Sequence, residues 1–279
     1  MPARTWFITG INSGFGRQLA EQLLERGDRV AGTVRRIGSV DDLTKRYGDG
    51  LWVGHADVTH TTELRATVDA AFDALGRIDV AVVNAGYGLF GAAEELTDDE
   101  IEDEIATNLV GSIQTFRAVI PHLREQGGGR IIQISSVAGM AAHPGASLYH
   151  ASKWGVEGFA EAMVSELAPF NIGVTIVEPG GARTSFAGSS LRLSSPLAAY
   201  AGTPASFVQV FRDGEVQVAG DPAKIAARVI ESVDLVPAPR RVVLGSDSYA
   251  TIMASLTARI AEIEPQKDSA AGTDADAES

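Results

Sequence analysis

Tyr149 and Lys153 are the two side chains whose types and spacing best suit proton transfer. Four residues apart, they lie on one face of a helix that begins near Tyr149. A phenol has a pKa of about 10, too high for ready proton exchange at neutral pH, but a neighbouring ammonium group lowers it. Tyr149 could then donate a proton to a carbonyl or take one from an alcohol. Taken alone, the spacing is also typical of an exposed pair.

A serine hydroxyl could hold the substrate oxygen beside this pair. Ser135 and Ser136 directly follow an apolar run that we predict to be a strand. Residues at the carboxyl ends of strands reach the ligand crevice of an open parallel sheet. By position, both serines are candidates.

The segment Thr9-Gly-Ile-Asn-Ser-Gly-Phe-Gly16 has the composition of a phosphate-binding loop. It follows the first predicted strand and opens a helix, whose free N–H groups and positive end favour phosphate. Glycines permit a sharp turn and a close approach to a pyrophosphate. A plain strand–helix loop is the alternative. The predicted dinucleotide contacts in this loop are Gly10, Asn12, Ser13, Gly14, Phe15 and Gly16.

The end of the second predicted strand indicates which dinucleotide is bound. An acid there binds the ribose 2′-hydroxyl of NAD, whereas a basic residue accommodates the 2′-phosphate of NADP. The chain has Arg35 and Arg36 at this point, and two guanidinium groups suit a phosphate dianion. The sequence therefore favours NADP(H) over NAD(H). The alternative is that both arginines are solvated loop charges.

Short apolar runs alternate with longer amphipathic stretches along most of the chain. This alternation is typical of right-handed βαβ units and predicts an α/β, Rossmann-type fold, doubly wound, with a seven-stranded parallel sheet and helices on both faces. The predicted strands are Trp6–Thr9, Arg29–Val34, Leu51–Gly54, Val80–Val83, Arg130–Ile134, Val174–Val177 and Arg241–Leu244. The predicted helices are Gly14–Glu25, Glu63–Leu75, Ile101–Leu123, Ser152–Leu167 and Pro222–Val233.

Two segments depart from this alternation. Residues 185–220 are rich in Ser, Ala, Gly and Pro, with scattered apolar side chains that include Phe186, Phe207 and Phe211. A long segment of this kind indicates a lid over an apolar pocket. Residues 266–279 contain no large apolar side chain, which predicts a disordered acidic tail. The remainder, 1–265, is predicted to be one dinucleotide-binding and catalytic domain.

The composition argues against several functions. A net charge of −13, from 23 basic and 36 acidic residues, disfavours nucleic-acid binding. The chain has no cysteine, and its five histidines show no ligand spacing, so no metal is expected. Two of them, His143 and His150, could lie near the pocket rim. No apolar run approaches the roughly 18–20 residues of a membrane span, and no signal peptide is evident, so we expect a cytoplasmic protein.

The order of these segments resembles that of the short-chain dehydrogenase/reductase family over about residues 4–245. The wider pattern looks most like 17β-hydroxysteroid-dehydrogenase-like members, which does not establish a steroid substrate. The segments that carry the resemblance are the glycine loop, Asn84-Ala-Gly86, Asn108-Leu-Val-Gly111, Ser136, Tyr149-His-Ala-Ser-Lys153 and Glu178-Pro-Gly-Gly-Ala-Arg-Thr184.

The resemblance implies roles for individual residues. It selects Ser136 over Ser135 as the serine that orients the substrate oxygen. It also implies that Asn108 links Lys153 to a proton relay. The implied cofactor contacts are Asp57 and Val58 at the adenine, Asn84, Ala85 and Gly86 at the adenosine ribose, Lys153 beside Tyr149 at the nicotinamide ribose, and Pro179, Gly180 and Thr184 at the nicotinamide.

The implied reaction is reversible hydride transfer between NADP(H) and a ketone, aldehyde or secondary alcohol. The predicted lid favours an apolar substrate. The resemblance also implies a homodimer or homotetramer, in which the small residues of the helix Ser152–Leu167 could pack against a second copy. Two alternatives stay open: an NAD-dependent alcohol dehydrogenase of the same fold, and a non-catalytic dinucleotide sensor that binds a regulatory partner.

Overall fold

A seven-stranded parallel sheet lies at the centre of the molecule. The computed structural model describes residues 3–184, 190–214 and 218–275. The strands are β1 (Thr5–Thr9), β2 (Arg29–Val34), β3 (Leu51–His55), β4 (Val80–Val83), β5 (Gly88–Phe90), β6 (Gly129–Ile134), β7 (Ile172–Pro179), β8 (Leu191–Leu193) and β9 (Arg241–Leu244). The large sheet has the order β3-β2-β1-β4-β6-β7-β9, while β5 and β8 form a separate parallel pair. The predicted fold class and all seven predicted strands are confirmed.

Helices cover both faces of the sheet. They are α1 (Gly14–Glu25), α2 (Asp41–Tyr47), α3 (Thr61–Leu75), α4 (Asp98–Glu104), α5 (Gly111–Glu125), α6 (Ser147–Leu167), α7 (Val208–Arg212), α8 (Pro222–Ser232), α9 (Ser246–Ile263) and α10 (Lys267–Ala271). Side chains alternate across β1: Trp6 and Ile8 pack with α1 and α8, and Phe7 packs with α3 and α5. Among the described residues, no helix is long and apolar enough to cross a bilayer.

The helices differ from the prediction in three places. The predicted helix Ile101–Leu123 is divided, because a π-helical turn at Ile105–Val110 separates α4 from α5. Helix α6 begins at Ser147, earlier than predicted, and its preceding residue Ala146 provides no side-chain cap that the sequence could reveal. Helices α2 and α9 were not predicted, since each buries too few side chains to show an apolar stripe.

The described part of the predicted lid crosses the carboxyl edge of the sheet. Strand β8 pairs with β5, placing Arg192 opposite Leu89, and α7 follows it. Residues 185–189, with Phe186, and residues 215–217 lie outside the described ranges. In the tail, Lys267–Ala271 form the exposed helix α10, and residues 276–279 are not among those described. The single domain and the disorder of the tail stay predictions.

Candidate active site

The glycine loop joins β1 to α1. Gly10 and Gly14 have φ angles of +76° and +56°, in the left-handed region that favours glycine. A Cβ at Gly16 would overlap the carbonyl oxygen of Gly10, so α1 approaches the loop this closely only without a side chain there. Within the described contacts, Ser13 does not cap α1 through its side chain, which leaves the first N–H groups of α1 available to an anion. These residues fit the phosphates of a dinucleotide.

Asn84 connects the end of β4 to the glycine loop. Its Nδ2 donates to the carbonyl oxygens of Thr9 at 2.9 Å and Gly10 at 3.1 Å. The hydroxyl of Thr9 in turn accepts hydrogen bonds from the backbone N–H groups of Asn84 at 2.9 Å and Ala85 at 3.0 Å. Thr9, which the sequence analysis did not single out, therefore helps Asn84 hold the loop in place.

One cavity of about 590 Å³ brings most of the predicted site residues together. The predicted residues that line it are Gly10, Asn12, Ser13, Gly14, Phe15, Arg35, Asp57, Val58, Asn84, Ala85, Gly86, Ser136, Tyr149, Lys153, Pro179, Gly180 and Thr184. Three predicted residues do not line the cavity. Gly16 lies in the first turn of α1, Arg36 is exposed beside Arg35, and Asn108 is buried behind the site.

Ser136, Tyr149 and Lys153 lie together at the ends of β6 and α6. The side chains of Ser136 and Tyr149 are hydrogen-bonded, and Ser136 Oγ also accepts from the backbone N–H of Ala138 at 3.1 Å. Lys153 Nζ lies 5.8 Å from the centre of the Tyr149 ring and donates to the carbonyl oxygen of Ile134 at 3.2 Å. The alternative serine, Ser135, also lines the cavity, but its hydroxyl lies beside Glu157.

Burial dominates the electrostatics of this pair. It raises the pKa of Tyr149 to about 12, although the hydrogen bond from Ser136 opposes the rise. It lowers the pKa of Lys153 to about 8, against the attraction of Glu104 and Glu157. The sequence predicts a lowered Tyr149 pKa; with the protein's own groups the shift is upward, because desolvation of the phenolate, with repulsion from Glu104, outweighs the hydrogen bond with Ser136.

Asn108 lies in the π-helical turn behind the cavity. Its Nδ2 donates to the Tyr87 carbonyl at 2.8 Å and lies 3.2 Å from both Ser152 Oγ and Glu104 Oε1. Its Oδ1 accepts from the backbone N–H of Tyr87 at 3.0 Å. The sequence analysis missed Glu104, which is one acid in an acidic helix; its place four residues before Asn108 is the only local signal.

The cofactor residues that follow β2 and β3 lie at one edge of the cavity. Asp57 Oδ1 accepts from the backbone N–H of Thr59 at 2.9 Å and from its hydroxyl at 2.7 Å. Burial raises the pKa of Asp57, but these hydrogen bonds and the charge of Arg35 outweigh it, so the pKa is lowered. Asp57 is therefore an ionised acceptor beside Arg35, while Val58 is buried.

The turn after β7 is held by an acid that the sequence analysis missed. Asp247, at the start of α9, accepts a hydrogen bond from the backbone N–H of Gly181 at 2.8 Å. A Cβ at Gly180 would overlap the Asp247 carboxylate, so this contact requires a glycine. Asp247 thereby fixes the segment that includes Pro179 and Thr184, both of which line the cavity.

Aromatic side chains line the part of the cavity next to Tyr149. The Phe90 ring centre lies 5.6 Å from that of Tyr149 and 5.1 Å from that of Phe211. Phe207 follows at 5.6 Å from Phe211. Phe207 and Phe211 belong to the predicted lid, whereas Phe90, in β5, was not predicted. The described lid residues thus add apolar surface to the site.

His143 and His150 also line this cavity. His150 Nδ1 lies 2.9 Å from the Ala138 carbonyl, and its Nε2 accepts from the backbone N–H of His143 at 2.9 Å. Burial lowers the pKa of His150. A neutral His150 protonated on Nδ1 satisfies both contacts, which indicates that it holds the loop after β6 in place.

Comparison with known proteins agrees with this geometry. The family model described as short chain dehydrogenase matches residues 4–192. Oxidoreductase BOA17 of Botryotinia fuckeliana is 35% identical over 246 residues, which cover 88% of this chain and 90% of that protein. Retinol dehydrogenase 8 of Homo sapiens is 34% identical over 217 residues, covering 75% of this chain and 68% of that protein.

A solved structure extends the similarity to nearly the whole chain. A short-chain dehydrogenase from Streptomyces avermitilis superposes with a TM-score of 0.91 at 36% identity, and the match covers 98% of each chain. With the glycine loop at β1, Asn84 at β4 and the Tyr149–Lys153 pair on α6, the chain belongs to the short-chain dehydrogenase family of oxidoreductases.

Proposed function

We propose that this chain is an NADP(H)-dependent carbonyl reductase or alcohol dehydrogenase. The observation that carries the proposal is the position of Tyr149. It is buried, hydrogen-bonded to Ser136 and close to Lys153, in the wall of the cavity that the glycine loop also lines. A proton donor and a dinucleotide site that share one cavity suit hydride transfer coupled to proton transfer.

The chain's own residues would position the substrate and move the proton. A bound nicotinamide supplies or accepts the hydride. Ser136 holds the substrate oxygen, and the Tyr149 hydroxyl donates its proton to that oxygen during reduction or accepts one during oxidation. The Lys153 ammonium stabilises the phenolate left after donation and holds the nicotinamide ribose, while Asn108 supports the proton relay. A Tyr149 pKa of about 12 keeps the phenol protonated before reduction.

Arg35 and Arg36 support NADP(H) as the cofactor. Arg35 lines the cavity directly after β2, and Arg36 is exposed beside it. Asp42, an acid of the following helix α2, pairs with Arg17 rather than with either of them. Two exposed guanidinium groups at the end of β2 provide forked donors for a 2′-phosphate.

The aromatic residues Phe90, Phe207 and Phe211 support an apolar substrate. Their rings lie near Tyr149, so a carbonyl held at Ser136 would have an apolar remainder beside them. Retinol dehydrogenase 8, the relative noted above, is named for an apolar alcohol. The 17β-hydroxysteroid-dehydrogenase-like subgroup stays a prediction.

The exposed face of α6 supports a homodimer or homotetramer. Trp154 is 37% exposed, and Ala151, Gly158 and Ala162 are exposed on the same helix. No described atom lies within 4 Å of a Cβ built at Gly158, so a second helix could approach closely there. We propose that a second copy of the chain covers this face. The molar mass measured in solution by light scattering tests this.

A carbonyl panel tests the proposed activity. Purified protein is mixed with aliphatic, aromatic and polycyclic ketones and aldehydes, with NADPH or NADH, and cofactor absorbance is followed. We expect turnover with an apolar carbonyl, faster with NADPH. Tyr149→Phe should lose this turnover, and Tyr249→Phe, an exposed tyrosine of α9, should retain it. Cofactor binding without turnover of any carbonyl or alcohol would favour the sensor alternative, and preference for NADH would favour the NAD-dependent one.

A further inference from the structure

Glu104 is a buried acid beside the proposed acid–base pair, and the reaction described above gives it no part. Its side chain is 0% exposed at the end of α4, one turn before Asn108. Oε1 accepts a hydrogen bond from Asn108 Nδ2 at 3.2 Å, and the backbone N–H of Leu89 in β5 also stabilises the carboxylate. Burying a carboxyl costs free energy unless its surroundings compensate it.

The groups that face Glu104 come from three parts of the chain. Lys153 and Tyr149 of α6 and Tyr87, just before β5, interact with it electrostatically. Asn108, in the π-helical turn that follows α4, links Glu104 to the Tyr87 carbonyl and the Ser152 hydroxyl. Lys153 is the only cation among these groups, and Glu104 and Glu157 are the two acids whose charges act on it.

The two buried charges influence each other in a defined direction. Burial raises the pKa of Glu104 to about 8, against the Leu89 backbone N–H and the charge of Lys153. Burial lowers the pKa of Lys153 to about 8, against the charges of Glu104 and Glu157. The pair therefore titrates jointly. Within this pair, the ammonium favours the ionised form of the Glu104 carboxyl over the neutral acid. The carboxylate then stabilises the ammonium and delays its deprotonation.

We propose that Glu104 is a positioning residue that keeps Lys153 protonated at alkaline pH and holds the Asn108 side chain. The proposal rests on the proposed function, in which the Lys153 ammonium stabilises the Tyr149 phenolate and holds the nicotinamide ribose. Without an ionisable Glu104, Lys153 keeps only one of the two acids that favour its ammonium form, so the reaction loses its cation at a lower pH.

The test measures kcat against pH for the wild type, Glu104→Gln and Glu104→Asp, with NADPH and a carbonyl from the panel. Glutamine retains an acceptor for Asn108 but cannot become negative. With each profile scaled to its own plateau, we expect the alkaline limb of Glu104→Gln to move about one pH unit lower. Glu104→Asp retains a carboxyl and should recover part of that shift. Circular dichroism and thermal unfolding establish that each variant is folded.

Glu102→Gln is the matched control, since it removes the same charge from the exposed face of α4. Its alkaline limb should coincide with that of the wild type. The proposal is overturned if the alkaline limb of the kcat profile of folded Glu104→Gln coincides with that of the wild type. It is also overturned if Glu102→Gln shifts that limb as much as Glu104→Gln does. If the wild type turns over nothing on the panel, the proposed function itself fails, so the two failures are distinguishable.

A second measurement requires neither cofactor nor turnover. The infrared band of a protonated carboxyl is compared between the wild type and Glu104→Gln across the pH range. We expect a band that only the wild type shows and that disappears as the pH rises through about 8. A band that persists through the alkaline range overturns the proposal, because a neutral Glu104 cannot stabilise the ammonium.

Discussion

Glu95 and Leu197, 102 residues apart, are joined by a hydrogen bond of 2.9 Å from the Leu197 backbone N–H to Glu95 Oε1. Glu95 Oε2 accepts from Ser194 Oγ at 3.0 Å and from the Ala92 backbone N–H at 2.9 Å. Burial raises the pKa of Glu95, but these hydrogen bonds outweigh it and the pKa is lowered. One carboxylate therefore attaches the described part of the lid to the loop after β5.

Replacing Glu95 with alanine should loosen the lid. We expect the KM for the carbonyl substrate to rise several-fold and kcat to change less, because each hydrogen bond to a charged group contributes about 1.5–3 kcal/mol net of the water that replaces it. Steady-state kinetics and hydrogen exchange over residues 190–212 measure both effects. Glu94→Ala, which removes one hydrogen bond to the Tyr200 hydroxyl, should have a smaller effect. An unchanged KM and unchanged exchange would show that Glu95 does not hold the lid.

Replacing Tyr149 with phenylalanine should remove the proton donor and leave the cavity intact. General acid catalysis contributes about 10²–10⁴-fold, so kcat should fall by that range, while the Kd for NADPH changes little. Turnover and fluorescence titration of NADPH measure the two quantities. Tyr249→Phe is the control. Turnover of Tyr149→Phe at the wild-type rate would remove Tyr149 from the mechanism.

An aspartate in place of Arg35 should change the choice of cofactor. It places an acid at the end of β2, which suits a ribose 2′-hydroxyl and repels a 2′-phosphate. We expect the KM for NADPH to rise by about tenfold or more, the effect of about 1.4 kcal/mol, and the KM for NADH to change less. Arg228→Asp, an exposed arginine on α8, should leave both values unchanged. An unchanged KM for NADPH in Arg35→Asp would contradict the proposed preference.

A methyl group at Gly16 should disturb the glycine loop. The Cβ of Gly16→Ala would overlap the Gly10 carbonyl oxygen and the Asn84 side chain, so the loop must move. We expect dinucleotide binding to weaken by about tenfold or more and the free energy of unfolding to fall by about 1–3 kcal/mol. Calorimetric titration and chemical unfolding measure these changes. Gly272→Ala, where a Cβ makes only ordinary contacts, should show neither. Full affinity in Gly16→Ala would mean that the loop adapts.

Glu178 should make the stability of the protein depend on pH. It is 0% exposed beside Arg241, whose Nε lies 2.9 Å from Glu178 Oε1. Burial, with repulsion from Glu157, raises its pKa to about 7 against the attraction of Arg241. The folded state therefore holds a proton that the unfolded state, with a glutamate pKa of about 4.3, has already lost. The contribution of Glu178 to stability consequently falls as the pH rises from about 4.3 to about 7.

Glu178→Gln removes this dependence. Relative to the wild type, the variant should gain stability over that pH interval, by on the order of 1 kcal/mol, in unfolding experiments at several pH values. Glu161→Gln is the matched control of opposite sign. The pKa of Glu161 is lowered by its hydrogen bond with Arg241, so this variant should lose stability relative to the wild type as the pH rises towards about 4.3 and show no further trend from there to about 7. If both variants gained stability relative to the wild type between about pH 4.3 and pH 7, the raised pKa of Glu178 would not be the cause.

Local sequence signals were sufficient to predict the seven strands of the large sheet but not every helix. The runs that became β1 and β4 are buried on both faces, and such runs are recognisable without their neighbours. The start of α6 and the whole of α9 lack this signal, because Ala146 provides no side-chain cap and α9 buries only Ser248 and Ile252. A helix such as α9, which buries so few side chains, cannot be inferred from an apolar stripe.

The same distinction applies to the candidate site. Residues after strands could be placed at the cavity from sequence, since the carboxyl ends of parallel strands meet at one edge. Glu95 and Asp247 could not, because each is defined by a partner far along the chain. Asp247, for example, meets Gly181 from 66 residues away. No local pattern distinguishes these acids from solvated ones.

The π-helical turn at Ile105–Val110 has a further consequence for the geometry of the α4–α5 segment. A π-helical turn contains one residue more than an α-helical path of the same rise, and one residue corresponds to about 100° of rotation. The face of α4 that presents Glu104 is therefore out of phase with the face of α5 that buries Phe116. A chain one residue shorter here would keep both helices intact yet rotate one relative to the other. The phase between the two helices therefore lets one helical segment place Asn108 behind the cavity and Phe116 in the core.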